Sequence, residues 1–145
     1  MGARFSPFRT IVEKIWGVDI TNHADARLLK KIGAFFSRDF SKITIRTGGI
    51  LPAIVPLRYT AIAIGKTINV AHGMKGVLSD PSVMAEELYH VIQWEKQGWG
   101  FFPLRYLYYH CARGYDKNPI EMEAKQKALL FCENLRSGMG EAPDL

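Results

Sequence analysis

Between Asn22 and Arg38 the apolar residues Leu28, Leu29, Ile32, Phe35 and Phe36 recur three and four positions apart, behind Thr21, Asn22 and Asp25 as capping residues. This spacing predicts an amphipathic helix. Lys42 to Thr47 then alternates apolar and polar side chains at period two and stops at Gly48-Gly49, the pattern of a half-buried strand. Residues 50–57, with Pro52 and Pro56, show no period. Tyr59 to Ile64 and Thr67 to Val70 flank Gly65-Lys66 and read as two short strands joined by a tight turn.

The punctuation changes at Asp80-Pro81-Ser82. Asp80 can accept from the free N–H groups of a first helical turn, and Pro81 suits the first helical position. A helix is expected from there to about Gln97, ended by Gly98. A second is expected over 103–113, and a third from Asn118-Pro119 to Arg136, stopped by Gly138. Residues 1–20 read as an irregular extension and 138–145 as a tail. The expected fold is a single α+β domain over 1–145: one helix, a three-stranded sheet, then three helices.

Composition agrees with a packed domain. The 145 residues are 48% hydrophobic and 23% charged, which argues against intrinsic disorder. Two cysteines, Cys111 and Cys132, form neither a disulfide framework nor a zinc ribbon, so a reducing compartment is expected. No run of about 18 apolar residues predicts a membrane span, and no secretory leader is recognised, so the expected place is the cytoplasm or a larger assembly. Gly2 with Ser6 fits the short myristoylation pattern. The net charge of +5 lies wholly in residues 1–50, which hold nine basic and four acidic side chains. That third is expected to form a solvated basic face or, within an assembly, to meet an acidic protein surface or nucleic acid. No nucleic-acid-binding motif accompanies it.

The chemistry concentrates on the helix that begins at Asp80. Glu86 and His90 are four residues apart, about 40° from each other on one helix face, and can converge on one ion. Glu87 points elsewhere on the same turn. In the zinc-peptidase pattern H-E-x-x-H the two histidines bind metal and the glutamate activates water. Here Glu86-Glu87-Leu88-Tyr89-His90 keeps the base and the second ligand and replaces the first imidazole by a carboxylate. One histidine in E-E-x-x-H also fits a bland reading, a surface charge pair beside a core histidine.

The segment resembles the core of the gluzincin-type metallopeptidases and their minimal relatives, whose helix carries HExxHxxQ. Val91, Ile92 and Gln93 continue that pattern, and the strand around Lys42–Ile45 and the hairpin Ala61–Val70 precede it in the same order. Asn118-Pro119-Ile120-Glu121-Met122-Glu123-Ala124 matches the element that supplies the third ligand. The resemblance covers roughly residues 22–136 and implies a zincin-like fold with a divalent metal on Glu86, His90 and Glu121. It also implies Glu87 as general base and Tyr115 as an oxyanion-stabilising residue. Glu121 is preferred to Glu123 because it sits nearer the apolar stripe Ile120, Ala124, Ala128, Phe131 and Leu135, and lies three residues before a small one. Such families place an acid four positions after the ligand, where this chain has Lys125.

Two carboxylates and one imidazole suit iron or manganese better than zinc. The outcomes are therefore an altered hydrolase, a site that recruits His72 or His110, or a degenerate fold without metal. In the last case the chain would be a structural or adaptor subunit of a virus particle or secretion machine. The aromatic run Phe101 to Tyr109 would then supply contact surface.

Overall fold

The computed structural model describes residues 7–50, 60–71, 73 and 75–138. Among these residues it is α+β, with four α-helices and a four-stranded sheet. The Gly2/Ser6 pattern, most of the 50–57 stretch, His72 and nearly all of the tail lie outside the described residues.

The amino-terminal region departs from expectation. Where 1–20 read as irregular, Pro7–Trp16 forms helix α1 and Val18–Asp19 forms strand β1, which adds a fourth strand to the three expected. β1 is only two residues long, too short for a period-two signal, and exists through its antiparallel pairing with β2, Thr44–Thr47. Helix α2 spans Ala26–Phe36, because Asp25 rather than Thr21 or Asn22 caps it. Its Oδ1 accepts from the N–H groups of Arg27 and Leu28 at 3.0 and 3.2 Å.

The hairpin is as expected: β3, Ala61–Ile64, and β4, Thr67–Val70, turn at Gly65, whose φ of +60° favours glycine. β4 pairs in parallel with β2, so the sheet runs β1-β2-β4-β3 and β3 lies at its edge.

Helix α3, Pro81–Arg113, starts as expected, with Asp80 Oδ1 accepting from Ser82 and Val83 N–H at 2.9 and 3.3 Å. Gly98 interrupts it (φ 78°, ψ 164°), but the second half resumes at once rather than at Pro103. Pro103 is tolerated because its missing N–H would have bonded only the Trp99 carbonyl, at the very start of that half. Helix α4, Pro119–Arg136, is capped by Asn118, whose Oδ1 accepts from Ile120 N–H at 3.0 Å.

The first half of α3 is buried nearly all round. Met84, Ala85, Leu88, Val91 and Ile92 pack with Ile45, Ile68 and Val70 of the sheet, Ile32 of α2, and Ala124, Ala128 and Phe131 of α4. Full burial of Leu88 alone contributes about 1.5–3 kcal/mol. Ala124 and Ala128 are the small residues that let α4 approach α3. A second cluster, Trp94, Phe102 and Ile120, sits at the Gly98 break and fixes the second half of α3 beside α4.

Candidate metal centre

α3 and α4 bring Glu86, His90 and Glu121 together, with one ligand atom from each inside a group no wider than 4.8 Å. Glu86 and His90 share a face of α3 through their four-residue spacing. Glu121 comes from the first turn of α4, placed by the Asn118 cap and by burial of Ile120 beside it. Glu121 and His90 are buried and Glu86 is half-buried. His90 Nε2 stands 3.4 Å from Glu121 Oε2.

Glu87 does not point away from this group. It is buried and lines the same cleft of about 740 Å³, whose wall also includes Ala63, Trp94, Phe102, Tyr106 and Tyr115. Burial first, then the nearby Glu86 and Glu121 charges, push its carboxyl up to about 7 against the opposing pull of His90. Its carboxylate accepts from the Ala63 N–H. Burial likewise raises Glu86, while His90 and Lys125 pull it down. Desolvation would lower His90, but the Glu121 and Glu87 carboxylates outweigh it and hold the imidazole at about 9. Glu121 is lowered: desolvation opposes, yet His90 and the hydroxyls of Tyr106 and Tyr115 stabilise its anion.

Glu123, the alternative third ligand, has another role. Its carboxylate accepts from Tyr89 Oη and from Gln93 Nε2, both at 2.8 Å. Gln93 Nε2 also donates to the Ile120 carbonyl at 3.1 Å. With both amide hydrogens committed, the Gln93 oxygen faces His90 Nδ1 at 2.7 Å, so Nδ1 carries the proton and donates. Nε2 is thereby turned toward the carboxylates. The chain Glu123–Gln93–His90 supplies the orienting contact that the position of Lys125 could not. Lys125 instead places Nζ 4.4 Å from the Tyr115 ring centroid.

His110 does not join the group. Its ring stacks on Tyr106 at 6.2 Å, outside the cleft lining. Sequence reasoning missed Tyr106, whose hydroxyl approaches Glu121 from the second half of α3. Burial and the Glu121 charge push its pKa up, as they do for Tyr115, so both hydroxyls stay protonated donors.

The donor set fits a divalent cation. Three carboxyls and one imidazole share the cleft floor, and Oε2 of Glu87 is buried with no hydrogen-bond partner among the described residues. Leaving that oxygen unpaired costs about 1–3 kcal/mol, which a bound dication offsets. No family model matches the sequence, and no match was found among curated proteins or solved structures.

Proposed function

We propose that the chain is a metal-dependent hydrolase of the peptidase kind, with Glu86, His90 and Glu121 as ligands. The observation that carries this reading is the convergence of those three ligand atoms beside an unpartnered, buried Glu87 oxygen. The oxygen-rich set favours iron(II) or manganese(II) over zinc. A divalent ion held there would supply Lewis-acid polarisation of a substrate carbonyl.

Burial pushes the Glu87 carboxyl up to about 7 in the metal-free protein, well above the ordinary carboxylate range and suited to a general base. It takes a proton from the attacking water and passes it to the leaving amine. Tyr115 and Tyr106, held protonated, donate to negative charge in the cleft, the role of an oxyanion stabiliser. The sheet edge supports an extended peptide as substrate. Thr60 accepts from Ala71 N–H, and Ile62 and Ile64 pair with Asn69 and Thr67, so Ala61 and Ala63 turn their backbone groups outward. Ala63 is engaged by Glu87 and by Trp94 Nε1, whose N–H donates to its carbonyl at 3.0 Å. Ala61 presents its N–H and C=O to the cleft for a substrate strand.

The test is metal content and turnover together. Protein supplied with iron(II), manganese(II) or zinc should hold about one equivalent, and Glu87→Gln should keep the metal and lose peptide hydrolysis. Less than about a tenth of an equivalent of any of the three would sink the reading. The same result would favour a non-catalytic adaptor or structural subunit. That second reading draws on exposed Ile11, Ile15, Trp16 and Val18 around α1 and β1, beside basic Lys14 that would meet an acidic partner.

A further inference from the structure

The second half of α3, residues 99–113, carries an apolar stripe on the side away from the cleft. Phe101, Leu104 and Tyr108 are 72%, 68% and 67% exposed. At 100° per residue Leu104 lies about 60° and Tyr108 about 20° from Phe101, so the three form one line along the helix. Trp99, at the start of that half, lies about 160° from Phe101 and outside the stripe, its ring 4.9 Å from that of Trp94. Three large exposed apolar side chains in one line are a surface that expects cover.

Charge selects what covers it. No Asp or Glu occurs between Glu95 and Asp116, whereas Lys96, Arg105 and Arg113 lie in that interval. Arg105 is exposed about 40° from Phe101, on the flank of the stripe. Arg113 lies over the Tyr109 ring at 5.6 Å, its guanidinium beside the aromatic body rather than in an ion pair. An antiparallel pair of two copies through this stripe would set Arg105 against its own counterpart, a like-charge contact that opposes self-association. Phe, Leu and Tyr flanked by Arg and free of acid match the boundary between anionic headgroups and acyl chains. No helix among the described residues is long and apolar enough to cross a membrane, so contact would be with the surface only.

We infer that residues 99–113 dock the protein on an anionic lipid bilayer, with Phe101, Leu104 and Tyr108 entering the headgroup region and Arg105 meeting lipid phosphates. The break at Gly98 makes this half of α3 a separate helix, and its inner face, through Phe102 and Tyr106, walls the cleft. Docking would therefore bring the cleft close to the bilayer. The inference stands whether or not the cleft holds a metal.

The test is co-flotation of the full chain with vesicles of phosphatidylcholine alone and with vesicles containing about a third phosphatidylserine. Binding should favour the anionic vesicles and weaken in high salt. Leu104→Glu should lower partitioning by about tenfold or more, and Arg105→Gln by about fivefold on the anionic vesicles only. Both positions are solvent-exposed, and circular dichroism checks that the variants fold. No partitioning onto anionic vesicles, or partitioning that Leu104→Glu leaves unchanged, would overturn the inference. So would a dimer in sedimentation velocity that Leu104→Glu abolishes, which would assign the stripe to a second copy.

Discussion

Gln93 offers the sharpest test of how the centre is held. It is 2% exposed and makes three contacts, to His90 Nδ1, the Ile120 carbonyl and Glu123. Gln93→Ala leaves the His90 Nδ1–H buried without a partner, at about 1–3 kcal/mol, and removes packing worth about 1 kcal/mol, while the Ile120 carbonyl keeps its place in the helical hydrogen-bond ladder. The expected loss is about 2–4 kcal/mol by urea unfolding of the metal-free protein. With the imidazole no longer fixed, affinity for manganese(II) should fall about 10–100-fold by calorimetric titration. Glu123→Gln keeps an acceptor for the Gln93 amide, and its carbon chain sits at the surface. It should therefore cost about 1 kcal/mol or less, and under about fivefold in affinity. If Gln93→Ala destabilised the protein yet left manganese affinity within about twofold, Gln93 would be a packing residue and the orienting chain would be wrong.

The metal-free protein should lose stability as pH rises from about 5 to 9. His90 moves from 6.5 up to about 9 and Glu87 from 4.5 up to about 7 on folding, so the folded state binds more protons across that window. Urea midpoints that rise across this window would refute the sign. Because the metal must displace the proton on Nε2, its affinity should increase with pH by up to about tenfold per unit below 9, as titrations at several pH values can show. Glu86→His should shift the preference from manganese toward zinc by about tenfold or more in competition titrations. Asn118→Ala removes the cap of α4 and should cost about 1–2 kcal/mol, and Asn118→Asp should restore most of it in thermal melts. Gly65→Ala puts a Cβ into the Trp99 indole at a positive φ, so it should destabilise the hairpin and change Trp99 fluorescence.

What the sequence revealed follows the range of the forces involved. Asp80-Pro81, Asn118-Pro119 and Gly65-Lys66 act within a few residues, so the starts of α3 and α4 and the β3–β4 turn were legible. The Glu86/His90 pair was legible because helix geometry alone converges it. β1 and Tyr106 were not. β1 takes its conformation from β2, more than twenty residues away, and Tyr106 reaches Glu121 only because the chain turns between α3 and α4. Glu123 was visible as a carboxylate near the site, but its commitment to Gln93 and Tyr89 depends on how α4 docks on α3. Pro103 misled in the opposite direction, because its effect on a helix depends on how near the Gly98 break lies.

The hold of α3 on Ala63 has a consequence beyond catalysis. An outer strand with a row of open N–H and C=O groups is a template on which further chains can add, the first step toward fibrils. At the other side of the sheet β1 offers only two residues. On β3, Glu87 and Trp94 occupy the outward groups of Ala63, which leaves Ala61 as an isolated foothold among the described residues. One short substrate can be gripped there, whereas a ladder of neighbours cannot propagate past Ala63. The residue proposed to move protons thus also blocks strand addition at Ala63. Its replacement by a side chain that releases Ala63, such as Glu87→Ala, should raise aggregation on gentle heating.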